Sequence, residues 1–354
     1  MTSWIIGRRS AVVLATTGAV ALGAFAALAV EAEAAPTAPY TVGVANNLKG
    51  NGWREEMICS IKAQALVSGK VDKVIAISEN HSTQQQINDI RSLISQGADI
   101  ILINPSDRDK LNATIRQATA KGIIVVAVDQ GVSEKSAYVV ANDQVAYGRL
   151  GAEALFKKMG GKGNVVEMRG FAGVPADTDR HTGFNQALKK YPNIKVVKSV
   201  FTDWNYTKGG QQARDLLTSG VSINGIWTSG IDYTVAEAFK TAKKPLVPIV
   251  GADNNGFLKQ LATNTPRGVT GSVVTNPAVV GAVGLQVALD ALAGKNPKKS
   301  NLLTPEVWDS SKDKAKIQAS IVPGQGPTYV ARTQIAPWTK YTTKQLTSCV
   351  GPGE

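Results

Sequence analysis

DIILIN at residues 99–104 and IIVVAVD at 123–129 are unbroken apolar runs, each ending on a polar side chain, Asn104 or Asp129. A strand with one face in water alternates apolar and polar residues, whereas a continuous run is covered on both faces and belongs to a parallel sheet between helices. TVGVA at 41–45 and KVIAIS at 73–78 read the same way. Between the runs, apolar residues return at three- and four-residue spacing over 83–96 and 107–121, the period of helices that lay one face on a sheet. The second half repeats the pattern in NVVEMRG at 164–170, KVVKSVFTD at 195–203, GIWTS at 225–229 and VPIVGAD at 247–253.

The ends of the runs are spaced alike in both halves. Ala45, Ser78, Asn104 and Asp129 stand 33, 26 and 25 residues apart; Gly170, Asp203, Ser229 and Asp253 stand 33, 26 and 24 apart. The halves superpose with an offset of 125 that slips by one at the last pair. The expected fold is therefore α/β, with two similar doubly wound parallel-sheet domains. Ligands of such sheets sit beyond the carboxyl ends of the strands, so two facing edges form a cleft near Asn104, Asp129, Ser229 and Asp253. A helix at 256–263, a strand at 267–274, and a helix from 277 to about 292 that stops at Gly294 follow. The basic linker 295–300 leads to a tail rich in Pro and Gly, long enough to lie across both domains, which the sequence leaves open.

Composition narrows the function. A hydrophobic share of 43% excludes a disordered chain, and 354 residues exceed the ~250–300 at which a single core stops growing. Two histidines, His81 and His181, and two cysteines, Cys59 and Cys349, leave almost nothing to ligate a metal, and no cofactor is expected. Arg8 and Arg9, the apolar run AVVLATTGAVALGAFAALAV at 11–30 and the small-x-small end Ala32-Glu33-Ala34 make residues 1–34 an export signal. Cleavage after Ala32 is nearly as good as after Ala34. An uncleaved anchor is the plain alternative, disfavoured by the Ala, Gly and Thr content and the cleavage-like flank. Arg8-Arg9 leaves the twin-arginine route open beside the general one, and either leads to the periplasm. No cysteine follows the run to carry a lipid. The signal holds two basic and two acidic residues, so the formal charge of +12 survives its removal. Basic residues are scattered, in nothing longer than pairs such as Lys157-Lys158 and Lys243-Lys244, which describes a solvated surface and no nucleic-acid partner. An oxidising compartment leaves a Cys59–Cys349 disulfide open; their separation in sequence says nothing of contact in space.

Enzyme signatures are missing: no GxSxG, no GxxxxGK[ST], no HExxH and no GxGxxG after a strand. No catalysis is expected, and His181 beside Arg180 reads as a helix-start residue. Binding signatures are better. Gly50-Asn51-Gly52-Trp53-Arg54 follows the first strand and Asp203-Trp204-Asn205-Tyr206 follows the second strand of the other half, so each cleft edge gains an indole in a polar loop. Gap filling is the plain alternative for both, and Trp227, inside an apolar run, reads as core. Asp129 and Asp253 end equivalent strands, where a carboxylate either caps a helix or accepts from two hydroxyls and rejects ligands lacking them. Arg180 opens a helix, where it either pairs with Asp177 or Asp179 or offers a guanidinium fork to several oxygens. Two indoles, two carboxylates, two guanidiniums (Arg54, Arg180) and two amides (Asn51, Asn104) describe a pocket for a neutral polyhydroxylated ring.

The order Asn51…Trp53-Arg54, Ile103-Asn104-Pro105-Ser106-Asp107, Val128-Asp129, Arg180…Gly183-Phe184, Asp203-Trp204 and Val250-Gly251-Ala252-Asp253 resembles the ribose-binding-protein type of periplasmic sugar-binding protein, from about Thr41 to about Leu303. The resemblance implies a type I periplasmic binding protein: two lobes joined by three crossovers, near Asn142-Asp143, Thr275-Asn276 and Leu303-Pro305, serving the permease of an ABC importer as a monomer. The lobes would be 35–142 with 276–304, and 143–275 with 305–354. Trp53 and Trp204 take the positions that stack the sugar; Asn51, Asn104, Asp129, Arg180 and Asp253 take hydroxyl-binding positions. Four departures bear on the ligand. Gln130 stands where ribose binders carry arginine, Arg54 replaces a loop aromatic, Asp232 substitutes for an asparagine at Gly230 or Ile231, and Thr275 aligns with the hinge glutamine. The Gly-Trp-Arg pattern looks more like furanose-type or polyol binders than ribose binders. Related repressors carry a DNA-binding helix-turn-helix where this chain has its export signal. A periplasmic sensor that signals to a chemoreceptor or kinase is the alternative use of the same fold.

Overall fold

The apolar runs fold as strands buried on both faces: all five residues of Ile100–Asn104 are buried, and each large aliphatic side chain so covered contributes roughly 1.5–3 kcal/mol. The structure, a computed structural model, describes residues 40–80, 82–263 and 268–354. The expected export signal at 1–34, His81 and the first residue of the strand expected at 267–274 lie outside the described residues.

The first half runs β1 (Tyr40–Asn46), α1 (Gly52–Ser68), β2 (Val71–Ser78), α2 (Thr83–Ser95), β3 (Ile100–Asn104), α3 (Asn112–Thr119), β4 (Ile124–Asp129) and β5 (Tyr138–Asn142). The second runs α4 (Gln144–Lys158), β6 (Lys162–Arg169), α5 (Pro175–Leu188), β7 (Asn193–Phe201), α6 (Tyr206–Thr218), β8 (Gly225–Thr228), α7 (Asp232–Thr241), β9 (Ile249–Ala252), α8 (Asn255–Ala262) and β10 (Gly271–Val274). The tail adds α9 (Val280–Leu292), β11 (Ser300–Leu303), β12 (Val307–Asp309), α10 (Lys314–Ala319) and α11 (Thr343–Ser348). Strands order as β2-β1-β3-β4-β5-β11 in one sheet and β7-β6-β8-β9-β10-β12 in the other. All pairings are parallel except that of β12 with β10. The expected two doubly wound parallel sheets are present, and the 125-residue offset holds for the first residues of β3 and β8, Ile100 and Gly225, and of β4 and β9, Ile124 and Ile249.

Two local differences have simple causes. β5 is an additional strand, and its first two residues, Tyr138 and Val139, are only half-buried, so it lacks the fully covered run of its neighbours. The helix expected from 107 begins at Asn112, because the Asp107 carboxylate accepts from the N–H groups of Asp109 and Lys110 and holds a turn there. Trp227 is fully buried, as read, edge-on to Tyr147 and Phe184.

Each sheet with its helices forms a lobe. In the first, α1 and α9 cover one face and α2 and α3 the other. In the second, α4 and α5 share one core and α6, α7 and α8 another. α4 and α5 approach backbone to backbone: a Cβ at Gly148 would strike the Arg180 carbonyl, and one at Gly183 the Val145 carbonyl. The chain passes between lobes after β5, between β10 and α9, and between β11 and β12. The tail then divides. Ile317, Ile321 and Ala331 pack on the second core, Ile335 and Trp338 on the first, and Tyr341 and Leu346 on Ala63, Val279 and Ala282. Cys59 of α1 and Cys349 form a disulfide, with Cα atoms 4.5 Å apart.

Candidate ligand-binding site

Between the carboxyl ends of the two sheets lies a cavity with about 520 Å³ of empty space, its open mouth included. Asn51, Trp53, Arg54 and Asp129 line it from the first lobe, Arg180 and Trp204 from the second.

Local chemistry sets each of these side chains. Asn51 caps α1: its Oδ1 accepts from the N–H groups of Trp53 and Arg54, while its Nδ2 donates to the Trp204 carbonyl across the cleft at 3.0 Å. Trp53 donates its indole N–H to the Asn276 carbonyl (2.6 Å), and Trp204 donates its own to the Ser229 carbonyl (2.8 Å). With both donors engaged by main chain, the rings bring mainly carbon surface to the cavity. Asp203 and Trp204 are consecutive left-handed residues, φ 54° and 49°, a conformation that costs about 1–2 kcal/mol per ordinary side chain. This turn lays the indole against Gly170, where a Cβ would collide with the ring.

Charges are buried between the rings. Arg54 donates through Nη1 to Asn46 (2.9 Å) and Asn47 (3.2 Å). Arg180 donates through Nε to Gln144 (2.8 Å) and through Nη1 to Ser229, and its guanidinium lies 4.1 Å from the Tyr147 ring centroid. Its expected alternatives, Asp177 and Asp179, pair instead with Arg169 and Arg108. Asp129, at φ 69°, accepts from Gln144 (2.8 Å) and Asn142 (3.4 Å). Gln144, just past the first crossover, thus joins the first lobe's carboxylate to the second lobe's guanidinium. Burial raises the Asp129 pKa, against the pull of Arg180 and Arg54; burial also lowers that of Arg54 to about 10, against the pull of Asp129. Among the described residues, neither guanidinium makes an ion pair with Asp129 within 4.0 Å. All three line the same cavity.

The remaining expected residues stand behind or beside the wall. The Asn104 Oδ1 accepts from Gln130 Nε2 (2.6 Å), and its Nδ2 lies 3.5 Å from the Met57 sulfur. Gln130 accepts the Ala176 N–H at 2.8 Å and so clasps the start of α5. Asp232 accepts from the Ala252 and Tyr233 N–H groups and from Asn254 Nδ2, which ties α7 to β9 and α8. Asp253 is fully buried; one oxygen accepts the Asn276 N–H (2.9 Å) and the other has no partner among the described residues. Burial raises Asp232 and Asp253 each to about 6. Thr275 exchanges hydrogen bonds with the Glu306 backbone at the second and third crossovers. The wall also holds Ser229, placed near the cleft by its strand end, and Tyr206, Asn254, Asn276, Thr328 and Val330, which the sequence reading did not count among the site residues. Ser229 and Tyr206 carried a readable signal, one at a strand end and the other in the Trp204 loop. Thr328 and Val330 carried none, because only the path of the tail brings them here. Arg108 and Asp179 close the edge of the cleft at 2.7 Å. Among the described residues no group of three His, Cys, Asp or Glu could hold a metal ion.

Twin parallel sheets with a polar cavity between their carboxyl ends define a two-lobed solute-binding protein. Residues 42–296 match the family described as periplasmic binding protein domain, and the chain belongs to it, among the type I sugar-binding members. It is 27% identical to the ribose import binding protein of Bacillus subtilis over 264 residues, 74% of this chain and 84% of that protein. It is 31% identical to the xylitol-binding protein of Mycolicibacterium smegmatis over 225 residues, 62% of this chain and 64% of that one. The solved structure of an ABC transporter solute binding protein from Thermobispora bispora superposes with a TM-score of 0.74 at 26% identity, over 87% of this chain and 94% of that chain.

Proposed function

We propose that the protein is exported through residues 1–34, captures a neutral sugar or polyol between its lobes by hinge closure, and presents the closed form to the permease of an ABC importer. One observation carries the ligand class: Arg54, Asp129 and Arg180 share a cavity wall without pairing directly. A ligand hydroxyl both donates and accepts, so a polyhydroxylated molecule can join the carboxylate to the guanidiniums. The carbon faces of Trp53 and Trp204 suit its C–H surfaces. Arg54, Arg180 and Asp129 put both signs of charge on the cavity wall, which favours an uncharged ligand that both donates and accepts over an acid or an amine. The named ligands of the two relatives, ribose and xylitol, are of this kind.

Closure follows from differential affinity: a ligand touching both lobes stabilises the closed form over the open one, and the importer reads that difference. Asn51 to Trp204, Gln130 to Ala176 and Arg108 to Asp179 are the contacts that would form on closing. Mass spectrometry of ligand released from purified protein is expected to find a pentose, hexose or polyol. A thermal-shift panel of the same classes is expected to raise the melting temperature with ligand concentration. No stabilisation by any member would count against the reading.

A further inference from the structure

We propose that residues 327–330 of the C-terminal tail form a third wall of the ligand site and that the Thr328 hydroxyl takes part in selecting the ligand; this rests on the proposed capture of a sugar or polyol. Thr328 and Val330 line the same cavity as the two indoles and the buried charges. The segment is fixed from both sides. On the second lobe, Gly256 N–H donates to the Pro327 carbonyl (2.9 Å), Asn255 N–H to the Tyr329 carbonyl (2.7 Å) and Ala331 N–H to the Asp253 carbonyl (2.9 Å). On the first, the Val330 N–H donates to the buried Glu56 carboxylate at 2.7 Å. The tail beyond it is held on the first lobe by Ile335 and Trp338, by Tyr341 and Leu346, and by the Cys59–Cys349 disulfide.

The side chain of Thr328 rests on Gly52, the first residue of α1, where a Cβ would collide with its Oγ1 and Cβ. The wall therefore needs glycine at that position, beside the stacking residue Trp53. The half-buried Thr328 hydroxyl makes no hydrogen bond with any described residue. It is thus free to both donate and accept at the cavity edge, whereas Asp129 only accepts and the two arginines only donate. A wall attached to both lobes also sets the length of a ligand that fits when they close.

The test compares wild type, Thr328→Val, Thr328→Ser and Trp204→Ala by calorimetry against D-ribose, L-arabinose, D-galactose and xylitol, with melting temperatures of the ligand-free proteins as the check on folding. Thr328→Val keeps the shape and loses the hydroxyl. It is expected to weaken the best of these ligands about three- to tenfold, the worth of one hydrogen bond, and Thr328→Ser to restore most of the loss. If Trp204→Ala weakens binding while Thr328→Val leaves every affinity unchanged, the third wall is refuted and the sugar site stands. A loss in Thr328→Val that serine does not restore refutes the role of the hydroxyl. Wild-type protein that binds none of the four overturns the sugar reading and this inference with it.

Discussion

Asp129 and Asp253 end equivalent strands of the two lobes, yet their surroundings differ. Asp129 takes a left-handed backbone, lines the cavity and has Arg54 and Arg180 as its electrostatic partners. Asp253 is sealed from solvent, offers one oxygen to the Asn276 N–H, leaves the other unpartnered and has its nearest cationic influence in Arg332 of the tail. Duplication reproduced the strand ends; the loops and the tail then gave the same residue type two electrostatic roles. The charged site residues of the first lobe are held by side-chain amides, Asn46, Asn47 and Asn142 of the same lobe and Gln144 from just past the first crossover. The second sets its indole by main chain, through the Ser229 carbonyl and two left-handed residues.

The largest expected effect separates the two carboxylates. Asp129→Ala removes the only carboxylate between two buried guanidiniums and orphans two amide donors, so urea denaturation of the free protein is expected to show a loss of about 3 kcal/mol. Asp253→Asn, which removes a buried charge, is expected to leave stability level or raised. Equal losses in both would end the distinction. Next come the indoles. Trp204→Ala is expected to weaken binding about thirtyfold with little change in melting temperature, whereas Trp53→Ala also lowers the melting temperature, because Trp53 packs on the first core.

Acid should reveal the second lobe. The folded-state pKa values of Asp232 and Asp253, about 6 against an ordinary 3.8, mean that the folded protein binds these protons more tightly than the unfolded chain. Their contribution to stability is complete below pH 3.8 and is lost as pH rises through about 6. Asp253→Asn should remove part of that slope in urea denaturation measured across the same pH range. The smallest effect is steric. Gly170→Ala pushes on the Trp204 ring and is expected to weaken binding about threefold to tenfold, with a stability cost of about 1–3 kcal/mol.

The sheets were legible because burial on both faces writes itself as unbroken apolar runs, and the run ends located the cleft. Asn51, Trp53, Arg54, Asp129, Arg180 and Trp204 were legible because large or charged groups at strand ends and just beyond them have few structural uses, although Trp53 and Arg54 fall in the first turn of α1 and Arg180, expected to open a helix, lies inside α5. Asn104, Gln130, Asp232 and Thr275 are the same kinds of residue in similar places, but here they hold backbone and neighbouring side chains. Sequence does not separate a polar group that faces a ligand from one that faces a main-chain amide. The disulfide between residues 290 apart and the Thr328 wall depend on a long tail's route. No local pattern encodes that route.

Because the tail passes from the second core at Ala331 to the first at Ile335, four covalent connectors link the lobes. A body tied to another at four points can swing about their common line but resists torsion and sliding. In the proposed capture cycle, the approach of the lobes would be confined to one angular coordinate, with the tail as a spring along it. Such a linkage would raise the barrier to wide opening in both directions, slowing capture and lengthening ligand residence time together. The work of prying the lobes apart would then fall to the proposed permease.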